Sequence, residues 1–204
     1  MKKKGLLIIL SGPSGAGKGT VLNEVRKTYK NLEVSVSVTT RAPRAGEVND
    51  VNYHFKTIEE FKELAHDGAF LESECVYGNY YGTLKSEVFD KIQKGLDVVL
   101  EIDVKGAFNV IGKYPDAVSI FVCPTSMEEL KGRLAGRGSE TAEALQLRLR
   151  SAMGEIKQAS KYGYVVVNDD VKECADDVIS IIKAEKCSTK INKDFINTLT
   201  GGSI

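Results

Sequence analysis

The sequence predicts an α/β fold: a parallel sheet flanked by helices, into which a smaller mixed α/β segment is inserted. Three observations carry this. Residues 6–10 (LLIIL) and 97–103 (DVVLEID) are short apolar runs of the kind that fill strands buried on both faces. Such strands alternate with helical segments at the start and through the second half of the chain, as a parallel sheet with crossover helices requires. Residues 34–83 differ: they are a run of short polar-faced strands around a single helix.

The first strand, residues 6–10, breaks into a glycine-rich loop, and a helix is expected from Lys18 to about Lys30. Residues 34–38 (VSVSV) alternate strictly and predict a half-buried strand with Ser35 and Ser37 on one face. A loop rich in Arg, Pro and Gly follows over 39–52, then a short strand at Tyr53-His54-Phe55. Thr57-x-x-Glu60 is a capping box, and Phe61, Leu64 and Ala65 supply the apolar stripe of a helix closed by Gly68. Residues 69–76 and 80–83 read as strands about a Tyr77-Gly78-Asn79 turn. A helix over 86–94 ends at Gly95. The strand 97–103 places acids at its carboxyl end, where Glu101 and Asp103 would share a face. Beyond it lie a strand at 118–122, a helix over 126–133, a loop at 135–139 and a long helix over 141–158. A strand at 164–167 and a helix from Val171 to about Lys186 complete the core. Residues 190–204 read as a frayed tail.

Composition bounds the partners. At 204 residues the chain is one domain with room for small insertions. Lys and Arg together number 28, as do Asp and Glu, and no basic block is long enough for a nucleic-acid arm. The apolar run after Lys2-Lys3-Lys4 is too short for a signal peptide or a membrane span. Cys75, Cys123, Cys174 and Cys187 are scattered without metal-ligand spacing, which suits free thiols in a reducing cytoplasm.

The chemistry begins at SGPSGAGKGT, residues 11–20. Gly12-x-x-x-x-Gly17-Lys18 has the spacing of a P-loop, placing the fold among P-loop NTPases. Glycines let successive N–H groups turn inward around an oxyanion, Lys18 adds a point charge, and the next helix offers its positive end. The spacing alone is common, so the apolar strand before it and the helix after it carry the specificity. The strict motif has Ser or Thr after the lysine to ligate Mg²⁺; here Gly19 stands there and Thr20 follows. Arg41 and Arg44 flank Pro43 and can clamp a second phosphate, although a solvated loop would carry the same residues. Arg133, Arg137 and Arg148 bracket a glycine-containing loop and could close over a transferring phosphoryl group; a solvated helix face is the alternative.

Taken together these residues resemble guanylate kinase, from Gly5 to about Lys186. The resemblance rests on SGPSGAGKGT (11–20), SVTTRAPRAGE (37–47), YHF (53–55), GNYYGT (78–83), LEID with VKGA (100–107), RLAGRGSET (133–141) and VVND (166–169). It implies an ATP-dependent, Mg²⁺-assisted kinase that phosphorylates GMP, and leaves use of dGMP open. It implies a core (5–33, 84–125 and 159–186), a GMP-binding subdomain (34–83), a helical lid (126–158) and a tail (187–204). Residue by residue, it puts the GMP phosphate on Ser37, Arg41, Arg44, Tyr53 and Tyr81, and the guanine on Glu72 and Thr83 with Asp103 nearby. It puts ATP on the loop Gly12, Pro13, Ser14, Gly15, Ala16, Gly17, Lys18, Gly19 and Thr20, with Arg133, Arg137 and Asn168, the last near the adenine. Catalysis would fall to Lys18, Arg41, Arg137 and Arg148. Mg²⁺ would be held by nucleotide phosphates and waters, with Asp103 or Glu101 ordering those waters.

The chemistry of the base agrees with that carry-over. Guanine presents two donors, N1–H and N2–H, that a carboxylate can accept, and a site built for them leaves buried groups unpaired when adenine enters. Two other readings stand beside this one: a non-catalytic guanylate-kinase-like module that binds partner proteins, and a P-loop kinase for another nucleoside monophosphate or a phosphosugar. The expected partners are thus ATP and GMP, with no nucleic acid and no membrane, in a cytoplasmic monomer or homodimer.

Overall fold

A computed structural model describes residues 4–76, 78–135 and 142–202. Five strands form one parallel sheet in the order β2-β7-β1-β8-β9. These are β1 (Leu7–Ser11), β2 (Leu32–Val34), β7 (Asp97–Glu101), β8 (Val118–Cys123) and β9 (Tyr164–Val167). The period of the strands sorts their side chains onto two faces. Ile8 and Leu10 pack with Val21, Leu22 and Val25 of α1 (Lys18–Thr28) and with Val178, Ile179 and Ile182 of α7 (Val171–Lys186). Ile9, Val98 and Leu100 point the other way, against Val88 of α3 (Lys85–Gln93) and Ala107 and Val110 of α4 (Val104–Lys113). Fully burying one such aliphatic side chain stabilises by about 1.5–3 kcal/mol, so both faces hold the sheet.

The inserted segment forms a second, mixed sheet in the order β4-β3-β6-β5. It comprises β3 (Val38–Thr39), β4 (His54–Phe55), β5 (Phe70–Val76) and β6 (Asn79–Leu84), with α2 (Ile58–His66) packed on it. Phe61 of α2 stacks on Phe70 and Tyr80, giving this sheet its own small core with Val38. The capping box at Thr57 and Glu60 is formed in both directions. The third piece pairs α5 (Met127–Ala135) with α6 (Ala142–Ile156) through Leu130, Leu134 and Ala152.

Four local expectations change. The VSVSV strand is divided: Val34 pairs with Val99 in the first sheet and Val38 with Gly82 in the second, so 35–37 is the crossing between sheets. Alternation cannot distinguish one strand from two strand ends joined in register. The strand from Asp97 stops at Glu101, because Asp103 turns its side chain to accept from the Gly106 N–H and caps α4, a helix the sequence analysis did not assign. Glu101 and Asp103 therefore do not extend one strand face. The tail expected to fray carries α8 (Lys193–Thr200). Tyr77, at the expected hairpin turn, and residues 136–141 lie outside the described residues.

Candidate active site

The glycine-rich loop runs from the carboxyl end of β1, the central strand, into α1. Ligands meet parallel sheets at this edge. Gly12 and Gly17 have φ of 146° and 86°, where L side chains are strained. A Cβ at Gly12 would overlap the Val122 carbonyl, and one at Gly17 would overlap the Asn168 amide. Glycine is required at both by backbone conformation and by close approach. Lys18 Nζ lies 2.6 Å from the Gly12 carbonyl oxygen and 3.2 Å from that of Pro13, so the loop curls around its own lysine.

Buried and half-buried groups brace this loop from behind. Asn168, 1% exposed at the end of β9, donates its amide to the Ala16 carbonyl at 2.8 Å. Arg133 donates to the same carbonyl at 3.3 Å and to the Asn168 carbonyl at 2.9 Å, while pairing with Glu129. Both residues thus grip the loop backbone, a role the sequence analysis did not give them. From the α6 side, Arg148 donates to Ser14 Oγ at 2.7 Å, bringing the third piece of the fold onto the loop. Arg137 lies outside the described residues.

A second concavity, about 230 Å³, opens between the two sheets. Ser37, Tyr53, Glu72, Tyr81, Asp103 and Glu101 line it together with Glu74, Val76 and Ile102. Five of the eight residues assigned to the acceptor nucleotide by resemblance therefore share this one wall: Ser37, Tyr53, Glu72, Tyr81 and Asp103. Glu72, 6% exposed on β5, accepts a 2.7 Å hydrogen bond from the Thr83 hydroxyl on the paired strand β6. Burial pushes the Glu72 carboxyl above the usual carboxylate range, and the Thr83 bond opposes that shift. A Cβ at Gly106 would stand 3.2 Å from Glu72 Oε2 and 3.3 Å from Asp103 Oδ1. Gly106, quoted within the VKGA motif without a role, is what lets the start of α4 approach both acids.

At the rim, the Arg41 guanidinium pairs with Glu47 at 2.9 Å and lies over the rings of Tyr53 and Phe55, at 5.4 and 5.9 Å. The hydrogen bond from Arg41 holds the Glu47 carboxyl below its ordinary range. Arg44 joins through its backbone N–H, which donates to the other Glu47 oxygen at 2.8 Å. Glu47 was quoted in the motif without a role; it accepts from the Arg41 guanidinium and the Arg44 backbone N–H. The Tyr53 and Tyr81 rings meet edge-on at 6.1 Å beneath them.

The cleft and the loop come closest at Glu101. It lines the inter-sheet cleft, and its carboxylate oxygens stand 3.5 and 3.6 Å from where a Cβ on Gly19 would lie. Desolvation raises its pKa and the nearby Lys18 charge lowers it, with the rise prevailing. Among the described residues no group of three or more His, Cys, Asp and Glu side chains could hold a metal ion. Mg²⁺ needs no such cluster, since it binds through one or two carboxylates, substrate phosphates and retained waters, and Glu101 beside Gly19 is a carboxylate of that kind. No described helix is long and apolar enough to cross a membrane. All four cysteines are free thiols.

A phosphate loop joined through one acid to a polar cleft narrows the relatives to those with both parts, and the comparisons agree. The family profile described as guanylate kinase matches residues 4–185. The chain is 51% identical over 195 residues to the guanylate kinase of Caldanaerobacter subterraneus subsp. tengcongensis, covering 96% of this chain and 95% of that protein. It is 50% identical over 204 residues to the guanylate kinase of Clostridium acetobutylicum, covering 100% and 97%. The crystal structure of guanylate kinase from Anaplasma phagocytophilum superposes with a TM-score of 0.78 at 34% identity, covering 100% of this chain and 98% of that one. Matched by that profile and by these relatives along nearly its whole length, the chain belongs to the guanylate kinase family.

Proposed function

We propose that the protein transfers the γ-phosphoryl group of ATP to GMP. The observation that carries this reading is the adjacency of cleft and loop at Glu101, which lines the cleft and stands beside Gly19. It lets a base seated at Glu72 direct its phosphate toward the loop around Lys18. The Glu72 carboxylate accepts from guanine N1–H and N2–H. Thr83, whose hydroxyl donates to Glu72, fixes which carboxylate oxygen faces the base. Arg41 and Arg44 take the acceptor phosphate in place of Glu47, with Ser37, Tyr53 and Tyr81 as further donors.

On the donor side, the loop N–H groups and Lys18 bind the β- and γ-phosphates. An oxygen of the GMP phosphate attacks the γ-phosphorus as the bond to the β-bridging oxygen breaks, leaving ADP. Charge accumulates on the transferring oxygens, and preorganised cations placed there supply most of the catalysis. Lys18 and Arg148 are the described cations at that place, and Arg137 belongs to the same segment. Mg²⁺, when bound, would be held by the nucleotide phosphates and by waters that Glu101 or Asp103 order, and would offset phosphate charge. The β3–β6 segment and the α5–α6 pair close over the core when both nucleotides bind, excluding water so that ATP is not hydrolysed. Free thiols and the absence of a spanning helix among the described residues support a cytoplasmic setting.

The test is a coupled assay with ATP, Mg²⁺ and each of GMP, AMP, CMP and UMP. Turnover with GMP far above the other three supports the reading. Equal turnover with AMP contradicts it.

A further inference from the structure

One departure from the strict P-loop meets an acid in space. The loop has Gly19 where the strict motif carries a hydroxyl, and β7 ends beside it in Glu101, an acid one methylene longer than aspartate. Leu10 of β1 pairs with Glu101 in the parallel register, so the acid's backbone is fixed beside the start of the loop. Its carboxylate faces residue 19 with both oxygens nearly equidistant, at 3.5 and 3.6 Å from the site of a Cβ, and its carboxyl carbon is 4.0 Å away. The space a serine hydroxyl would use therefore borders on carboxylate oxygen. Thr20 is exposed and, one residue on, is turned by about 100° around α1, so its hydroxyl does not point into the same space.

We propose that Gly19 and Glu101 are a compensating pair. Glu101 reaches across the missing side chain and presents, from β7, the protein oxygen that a loop hydroxyl would otherwise present to the Mg²⁺-bound triphosphate. The residue at 19 and the length of the acid at 101 then specify each other: glycine goes with glutamate, and serine with aspartate. The pair would position metal-bound nucleotide rather than react with it. The inference rests on the ATP reading above, and its test separates the two.

The readout is binding by calorimetry of a non-hydrolysable ATP analogue, with Mg²⁺ and in chelator, expressed as the ratio of the two Kd values. Melting temperatures check that each variant folds. Glu101→Gln keeps the shape and removes the charge, and should reduce the Mg²⁺ gain by about tenfold, the worth of one charge-assisted contact. Glu101→Asp should fall short of the metal and lower the gain. Gly19→Ser should lower it too, by crowding the carboxylate. The double variant Gly19→Ser/Glu101→Asp should recover the gain to within about threefold of the unaltered protein, a coupling beyond what independent sites show. Independent, multiplying effects in the double variant would overturn the pairing, as would an unchanged gain in folded Glu101→Gln. Failure of the unaltered protein to bind the analogue at all would overturn the ATP reading and the pair's role with it.

Discussion

The glycine loop and the inter-sheet cleft solve the same problem, holding a charged ligand, with different materials. The loop is backbone: positive-φ glycines, the Ala16 carbonyl gripped by Asn168 and Arg133, and a lysine folded against the Gly12 and Pro13 carbonyls. The cleft is side chain on side chain: Thr83 on Glu72, Arg41 on Glu47, Tyr53 against Tyr81. Backbone groups cannot distinguish one phosphate tail from another, whereas side chains can match the edge of a base. On this view the loop supplies rate and the cleft supplies choice. Damage to each should be separable in kinetics.

The largest effect expected is at the loop. Lys18→Ala should lose about 2.7–4 kcal/mol of transition-state stabilisation, seen as a fall in kcat with the KM for GMP little changed. Near-normal turnover would remove the donor assignment. Next comes Glu72→Gln, whose amide offers one acceptor and opposes the second guanine donor with its NH₂. The expected outcome is a loss of about 1.5–3 kcal/mol in kcat/KM for GMP, with the preference for GMP over AMP shrinking about tenfold or more. A variant that melts normally and keeps its GMP preference would move base recognition to Asp103. Arg41→Ala should raise the KM for GMP by a comparable or smaller factor, since Arg44 shares the phosphate, and should leave the KM for ATP unchanged.

The smallest effect is a pH dependence where the second sheet meets α3 of the core. Protonated His54 of β4 donates from Nδ1 to Asp50 (2.7 Å) and from Nε2 to Glu87 of α3 (3.1 Å), and Glu87 also pairs with Lys91 at 2.8 Å. Partial burial lowers the His54 pKa, but the two carboxylates outweigh it and raise it above its ordinary 6.5. Partial burial pushes Glu87 up, but Lys91 and His54 hold it below its ordinary 4.5. The histidine's contribution is complete below pH 6.5 and is lost as pH rises through its raised value; that of Glu87 is complete above pH 4.5 and is lost as pH falls through its lowered value. The bridge is strongest between those limits. The difference in melting temperature between the unaltered protein and His54→Gln should therefore be greatest near about pH 6 and shrink by about pH 8.5, within the ~1 kcal/mol of a partly exposed pair. A difference independent of pH would show that the bridge does not tie the cleft to the core.

The contrast between the regions also explains what the sequence disclosed. The loop was legible because its chemistry is local: the glycines, the lysine and the strand before them are contiguous, and their spacing is the mechanism. The sheet was legible because strands such as LLIIL are apolar on both faces. The ends of elements were harder. A crossing such as 35–37 depends on partners far along the chain, Val99 and Gly82, and the local cap of Asp103 on the Gly106 N–H is hidden by the apolar run that leads into it. The cleft residues were named from resemblance, and the structure gathers Ser37, Tyr53, Glu72, Tyr81 and Asp103 on one wall. The supports were not legible at all. Gly106, Glu47 and the Ala16 carbonyl act by where they stand, and nothing in their residue type announces it.

The most direct test of separable donor and acceptor regions is a crossed pair of titrations. GMP and a non-hydrolysable ATP analogue with Mg²⁺ are each titrated calorimetrically into folded Lys18→Ala and folded Arg41→Ala. The account predicts that Lys18→Ala binds GMP as the unaltered protein does and the analogue more weakly, while Arg41→Ala shows the reverse. Loss of GMP binding in Lys18→Ala with the analogue unaffected, or equal loss of both ligands in both variants, would contradict it.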